Sequence, residues 1–359
     1  MKITLNSQDK AELIKYLEVK EENIAIASML NELCFSLDQF EELKDIESST
    51  ISNRCKELFI DYFELDDNNE DNIKIINTYL SNCFFKCNND VYDENPFKKS
   101  LKVQNIVQNS YKYHYLTYPK YSFFPLDDIK VDEKDYYREY SSIGYFPKDY
   151  QYLTLSKNNN IWMCITPNEI NTMKPHIAKA HDNVVTFGLG LGYFAFMAAN
   201  KKEVNKVTVI EKDKEVINLF MNYIYPHIKN NKKIEIICID AFDYINKNHL
   251  NEYNYAFFDL WHNAEDGLPL YIKAKEMNIG CETGYWIEES LIAMYRRCLL
   301  TVIEESLEHY VDDDYRKSKN AIEKIINQIY FKTKNVKIFT IKELHSLLSK
   351  ESIIKLIEK

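Results

Sequence analysis

Apolar and polar residues follow two different periods along this chain. Between residues 7 and 84, apolar residues recur every three to four positions, as in AELIKYL, IASMLNEL and ISNRCKELFIDYF, which predicts amphipathic helices. After residue 180 the apolar residues are grouped in short runs, VVTF, VTVI, IEIICI and YAFF, separated by helical segments. Such runs are typical of buried parallel strands with helical crossovers. The pattern therefore predicts a helical N-terminal domain followed by an α/β domain.

A segment between these two regions has a different composition. Residues 111–153 are crowded with tyrosine and phenylalanine, and three prolines, Pro119, Pro125 and Pro147, exclude a long helix. The β-rich runs YLTL and IWMCI flank a Lys-Asn-Asn-Asn turn and predict a hairpin. The predicted domains are thus a helical domain over 1–110, an aromatic-rich linker with a β-hairpin over 111–166, and the α/β domain over 167–359.

The last eighty residues contain fewer strand signals. The segment from about residue 287 is mostly helical, and VKIFTI at 336–341 is an isolated strand-like run. This leaves open whether the sheet is abridged. The final segment, IKELHSLLSKESIIKLIEK, predicts one or two amphipathic helices that pack either on the core or on a second subunit.

Three glycines, Gly188, Gly190 and Gly192, separate the strand-like VVTF from the helix-like YFAFMAA. A strand that enters a glycine-rich turn and then a helix brings backbone N–H groups close to a ligand. The alternative is a tight turn that binds nothing. The spacing differs from a dinucleotide fingerprint, because the position three residues after Gly190 is Tyr193 rather than glycine or alanine.

Carboxylates end the next strands. Glu211 ends VTVI, Asp240 with Ala241 follows IEIICI, and Asp259 follows YAFF. Since ligands of open α/β sheets bind at the carboxyl edge, we expect these residues in one cleft, with Glu211 accepting hydrogen bonds from ribose hydroxyls. Glu211 could instead be a surface carboxylate, and Asp240 also fits a helix N-cap.

The segment VVTFGLGLG resembles the first motif of class I S-adenosylmethionine-dependent methyltransferases, with Thr186 where most of that family has an acid. The segments YLTLSKNNNIWMCITPNEINTM, VTVIEKDKEVINLF and YNYAFFDLWHNAEDGLPLY are similar to the spermidine-synthase-like branch, over roughly residues 150–275. The resemblance implies a Rossmann-like sheet, S-adenosylmethionine as cofactor, and Asp240 with the Ala241 backbone at the adenine. It also implies a position near the cofactor for Glu169, which otherwise fits a capping box opened by Thr166.

The loop after YAFF is where we expect any chemistry. The resemblance implies that Asp259 orients or deprotonates the acceptor, and His262 stands where the synthases have a second aspartate. Histidine can itself be a general base, although a solvated loop histidine is the simpler reading. We predict methyl transfer to an unidentified small molecule. The alternatives are aminopropyl transfer from decarboxylated S-adenosylmethionine, or a non-catalytic nucleoside-binding or assembly protein.

Charge and composition restrict the partners. The 359 residues include 45 basic and 55 acidic side chains, a net charge of −10, which disfavours binding to nucleic acid phosphates. Eight scattered cysteines are typical of buried thiols rather than a zinc site, and we predict no metal. The polar N-terminus and the lack of long apolar runs predict a cytoplasmic protein without membrane segments. A small-molecule substrate is expected, and a homodimer is left open.

Overall fold

The structure, a computed structural model, describes residues 1–35, 43, 51–66, 68–101, 105–247, 250–277, 279–308 and 320–358. Its helices are α1 (Ser7–Phe35), α2 (Ile51–Tyr62), α3 (Glu70–Leu80), α4 (Asn89–Asp93), α5 (Pro96–Ser100), α6 (Pro167–Lys179), α7 (Tyr193–Ala199), α8 (Lys214–Tyr223), α9 (Ala241–Lys247), α10 (Ala264–Lys275), α11 (Glu288–Glu308), α12 (Ala321–Thr333), α13 (Ile341–Leu347) and α14 (Lys350–Ile357). Short 3₁₀ turns lie at Tyr225–His227, Asn231–Lys233 and Leu250–Glu252.

The strands form several sheets, so the fold is mixed α/β. They are β1 (Lys2–Ile3), β2 (Phe84–Lys86), β3 (Ile106–Gln108), β4 (Tyr111–Tyr118), β5 (Phe123–Pro125), β6 (Lys130–Asp132), β7 (Arg138–Tyr140), β8 (Ile143–Tyr145), β9 (Tyr150–Lys157), β10 (Asn160–Cys164), β11 (Asp182–Phe187), β12 (Val204–Glu211), β13 (Ile234–Cys238), β14 (Tyr255–Phe258), β15 (Glu282–Tyr285) and β16 (Lys337–Ile338).

The largest sheet contains the four apolar runs of the sequence. Its strand order is β13-β12-β11-β14-β15, and every neighbouring pair is parallel. The central strands are buried on both faces, as is typical of parallel sheets, and all four residues of β14 are fully buried. The chain runs outward in one direction from β11 to β13 and in the other from β14 to β15. That reversal opens a crevice at the carboxyl ends of β11 and β14.

The sheet ends at β15 in the described part of the chain. The strand-like run near residue 336 forms β16, which pairs with β1 instead of extending the sheet. This pairing joins the two ends of the described chain. The last segment forms two helices, α13 and α14, which contact α1 and α11 and bury Leu344, Ile353 and Ile357 within the chain. Packing on the core is thus observed, while a homodimer stays a prediction.

The aromatic-rich segment contains more regular structure than its sequence pattern predicts. β4 lies in a four-stranded antiparallel sheet of order β10-β9-β4-β3. Its sequence, YKYHYLTY, alternates with period two, and Tyr111 and Tyr113 are buried while Lys112 is exposed. That alternation is the signal that could have identified the strand. The expected hairpin is present as β9 and β10, joined by Asn158 and Asn159 in left-handed conformations, as a tight two-residue turn requires.

Helix α1 belongs to two hydrophobic cores. Leu13 and Tyr16, in its first half, pack with the core of the α/β domain, whereas Leu30 and Leu33 pack with α2 and α3. The helix therefore joins the N-terminal helices to the parallel sheet. In the described residues, no helix combines the length and the apolar content needed to cross a bilayer.

Candidate functional site

A cleft of about 690 Å³ lies at the carboxyl edge of the parallel sheet, a volume within the range of roughly 300–1,000 Å³ of ligand pockets. The ends of β11, β12, β13 and β14 form one side, and β10 with the first turn of α6 forms the other. All predicted site residues except Gly192 line it: Glu169, Gly188, Gly190, Glu211, Asp240, Ala241, Asp259 and His262.

The three glycines have different structural roles. A Cβ on Gly188 would lie 2.0 Å from the backbone oxygen of Asp259, and one on Gly192 would lie 2.1 Å from the Phe220 ring. All three positions have positive φ, which favours glycine, and Gly188 and Gly192 are required by packing as well. Gly190 differs, because its nearest neighbour would be the Met163 sulfur at 3.8 Å, across the cleft. Of the three, Gly190 is therefore the glycine that leaves open space beside the backbone for a ligand.

Glu211 holds the glycine loop. Its Oε2 accepts a hydrogen bond from the Leu189 amide at 3.1 Å, and its Oε1 accepts one from the Asp213 amide at 2.8 Å. Asp213 in turn caps α8 and accepts hydrogen bonds from Tyr111 and Lys157 of the antiparallel sheet. The carboxylate at the end of β12 is thus fixed by backbone amides at the cleft wall.

Asp240 is an N-cap in this structure. Its Oδ1 accepts hydrogen bonds from the amides of Phe242 at 2.9 Å and Asp243 at 3.4 Å, which begins α9. In the described residues Oδ2 has no hydrogen-bond partner, so the cap leaves one oxygen for a ligand. The ring of Phe242 lies beside it in the cleft wall, with the Lys273 ammonium 3.8 Å from the ring centroid.

Glu169 and Asp259 differ from the other two carboxylates because the described residues offer their side chains no hydrogen bond and no ion pair. Thr166 caps α6 by accepting from the Glu169 amide at 3.4 Å, but the Glu169 carboxylate lines the cleft instead of closing a capping box. Burial raises the pKa of Asp259 to about 7, with His262 opposing and Glu211 adding to the shift. Burial, and then the charge of Asp259, raise the pKa of Glu169 well above its ordinary value. These two acids are therefore a place where a positive charge would bind.

His262 lies at the mouth of the cleft and is exposed. Its Nδ1 is 3.0 Å from Oδ2 of Asp266, in the first turn of α10. Its ring meets the Trp162 ring edge-on at 5.6 Å between centroids. Because Trp162 belongs to β10, this contact joins the two sides of the cleft. No group of three His, Cys, Asp or Glu side chains suited to a metal ion exists within the described ranges.

Several residues that line the cleft were not singled out from the sequence. They are Ile161, Trp162, Met163, Cys164, Met173, Leu189, Tyr193, Phe194, Lys212, Phe242, Lys273 and Trp286. The residues on β10 could have been found from its position in the hairpin before α6. Leu189, Lys212 and Phe242 could have been found as direct neighbours of predicted site residues. Met173, Lys273 and Trp286 reach the cleft because elements distant in sequence meet there.

Comparisons with known proteins give weak likenesses. No family model matches this chain, and no curated protein matches it. Among solved structures, it is similar to spermidine synthase from Thermotoga maritima, with 15% identity and a TM-score of 0.28, over 40% of this chain and 55% of the synthase. A spermidine synthase in complex with the transition-state analogue AdoDATO gives the same identity and TM-score, over 40% and 54%. The matched region spans about half the length of these synthases, and likenesses of this size do not assign the chain to their family.

Proposed function

We propose that this protein binds a sulfonium nucleoside of the S-adenosylmethionine type and transfers its methyl group to a small molecule. The observation that carries the proposal is the convergence of Gly190, Glu211, Asp240 and Asp259 on one cleft at the carboxyl edge of a Rossmann-like sheet. Each has a feature suited to part of such a ligand.

The adenosine half fits the wall made by β12 and β13. The Glu211 carboxylate lies where ribose hydroxyls would donate, and Asp240 Oδ2 could accept from an adenine amino group. The Phe242 ring offers an apolar surface for the base. The space beside Gly190 lets the ligand approach the loop backbone.

The sulfonium half fits the two unpartnered carboxylates. A bound sulfonium supplies an electrophilic carbon and a leaving group that departs neutral. The residues of this chain then have to orient the acceptor and receive its proton. Asp259 is suited to both tasks, because its pKa of about 7 lets it accept a proton near neutral pH. A bound cation would favour the charged form of Glu169 against the burial that raises its pKa, and Glu169 would then add negative charge beside the cation.

Aminopropyl transfer from decarboxylated S-adenosylmethionine is the second candidate, and one observation favours it. The lysines that line the cleft, Lys212 and Lys273, lie on the side of Glu211 and Phe242. An ammonium group suits Glu169 and Asp259 better than the carboxylate of intact S-adenosylmethionine does, since like charges repel.

The test is calorimetric titration of the full chain with S-adenosylmethionine, S-adenosylhomocysteine, decarboxylated S-adenosylmethionine and methylthioadenosine. Tight binding of the first two supports methyl transfer, and preference for the last two supports aminopropyl transfer, to be followed by turnover with putrescine. Binding without turnover across an acceptor panel would favour a non-catalytic protein. Absence of binding by all four would remove the proposal.

A variant locates the ligand in this cleft. Gly190→Asn keeps a left-handed backbone at modest cost, since asparagine tolerates it, but directs a side chain into the open space. We expect affinity to fall about 100-fold or more, with little change in stability. Lys229→Asn, an exposed substitution outside the cleft lining, is the control. An unchanged affinity in Gly190→Asn would place the ligand elsewhere.

A further inference from the structure

His262 and Asp266 form a pair that the proposed transfer leaves without a defined role. His262 begins the turn before α10, and Asp266 is the third residue of that helix. The Asp266 carboxylate accepts from the amides of His262 and Asn263 and from the His262 ring. The position of this carboxylate is thus fixed by the backbone and does not depend on the imidazole.

The fixed carboxylate determines which ring nitrogen carries the proton. An ionised carboxylate only accepts hydrogen bonds, so the 3.0 Å contact with Nδ1 requires a proton on Nδ1. Burial alone would raise the pKa of Asp266, but the hydrogen bonds from the His262 ring and the two amides hold it below its ordinary value. A neutral His262 then carries a free lone pair on Nε2.

The free nitrogen belongs to a ring that lines the cleft. Nε2 has no hydrogen-bond partner in the described residues, and the ring is held edge-on against Trp162 of the opposite side. Asp259, from the end of β14, is near enough for its charge to interact with His262, and Lys157 lies over the Trp162 ring. The ring is thus placed between the fixed Asp266 and the unpartnered Asp259.

We infer that Asp266 positions His262 as the general base of the cleft, with Nε2 receiving the proton of the acceptor. This inference rests on the proposed function and narrows it: of the two tasks for which Asp259 is suited, the acceptor proton is assigned to His262 and only the orienting task to Asp259. The acceptor lone pair forms a bond to the sulfonium carbon, and the carbon–sulfur bond breaks with its electrons passing to sulfur. The acceptor proton passes to Nε2, and the resulting imidazolium is paired with Asp266. Asp259 then orients the acceptor.

The variant that tests the positioning role is Asp266→Asn. Two backbone amides require the one remaining oxygen, so the new NH₂ group faces Nδ1 and donates to it. The proton of neutral His262 must then move to Nε2, which can no longer act as a base. Glu343→Gln is a matched control, because Glu343 has the same position in the capping box that begins α13, away from the cleft.

Two measurements decide the inference. Long-range ¹H–¹⁵N spectra of the full chain report the tautomer of His262, assigned with His262→Gln. We expect the proton on Nδ1 in the native protein and in Glu343→Gln, and on Nε2 in Asp266→Asn. In the transfer assay, we expect kcat to fall at least ten-fold in Asp266→Asn and in His262→Gln, with nucleoside affinity within about two-fold.

The outcomes separate this inference from the proposed function. A native tautomer with the proton on Nε2 would overturn the positioning role whether or not a nucleoside binds. Transfer that proceeds at the native rate in both variants would overturn the inference and leave the proposed function in place. Failure to bind any of the four nucleosides would remove the reaction, and with it the role of His262 as its base. If Asp266→Asn does not fold, His262→Gln, which keeps Asp266 and its cap, tests the base, and the tautomer of the native protein tests the positioning role.

Discussion

Four carboxylates line the cleft, and backbone amides donate hydrogen bonds to two of them. Glu211 and Asp240 each accept hydrogen bonds from two backbone amides. Glu169 and Asp259 have no partner for their side chains in the part of the chain that the structure describes, and burial raises the pKa of both. The two ends of the cleft therefore differ. At one end the carboxylates are held by backbone amides, whereas at the other end they have no partner in the described residues.

Part of this difference, at Asp240, Asp259 and Glu169, arises from local helix capping. Asp240 begins α9 itself, so the orphan amides of that helix are within reach. Asp259 is followed by a longer loop in which Asn263 caps α10, and in α6 the cap is Thr166 rather than Glu169. When another residue supplies the cap, the nearby acid is left for a ligand.

The largest effect is expected at the satisfied end, from Glu211→Ala. This change leaves the amides of Leu189 and Asp213 without an acceptor and removes the ribose contact of the proposed function. We expect the free energy of unfolding to fall by about 2 kcal/mol and nucleoside affinity to fall about 100-fold, measured by denaturation and calorimetry. If the free energy of unfolding and the nucleoside affinity both stay unchanged, Glu211 does not hold the glycine loop, and the contrast between the two ends of the cleft is wrong.

Asp259→Asn should have the opposite effect on stability. Because the folded-state pKa of about 7 lies above the ordinary 3.8, the folded chain binds more protons than the unfolded chain between these values. Native stability therefore falls as pH rises through this window. The variant should melt roughly 3 °C or more above the native protein at pH 8 and within error of it near pH 4.

Thermal melts from pH 4 to 8 measure this difference, and Asp240→Asn is a control whose melting should stay close to native at every pH. If Asp259→Asn is less stable than the native protein at pH 8, Asp259 has a partner, and the two ends of the cleft do not differ as described. Nucleoside affinity should also fall in Asp259→Asn, since a positive charge loses its counter-ion.

The smallest effect is expected at Asp240. Asparagine is as good an N-cap as aspartate, so Asp240→Asn should leave the free energy of unfolding unchanged, whereas Asp240→Ala should lower it by about 1 kcal/mol. If Asp240→Asn lowers nucleoside affinity, the loss reports the ligand contact alone. Equal stability of the native protein, Asp240→Asn and Asp240→Ala would mean that the cap contributes nothing to the free energy of unfolding.

The sequence pattern and the structure agree on the parallel sheet more than on the segment before it. The four apolar runs and the hairpin lie where period and turn residues place them. No strand is predicted at β4, because tyrosines occupy the buried positions of its alternation where aliphatic residues would give a clearer strand signal. Helix α1 has a continuous pattern, which gives no sign that its two halves pack into different cores.

The residues of the cleft also divide into those that the sequence indicates and those that only the structure shows. Glycine spacing and strand-end acids indicated which residues would approach one another, because parallel strands bring their carboxyl ends to one edge. The sequence could not distinguish Gly190 from Gly192, since the difference is the Phe220 ring packed against one of them. Nor did it single out Trp162, which reaches the cleft from β10.

From β11 to α10, the sequence by itself determined the order of strands and helices and the placing of the acids at strand ends, because period and local capping depend on neighbours in the chain. Only the tertiary structure decided that Glu211 accepts a hydrogen bond from the Leu189 amide and that Glu169 and Asp259 face the cleft unpaired in the described residues. Burial and hydrogen bonding to distant backbone depend on elements that meet in space. The pKa of about 7 at Asp259 comes from that burial, which no local pattern records.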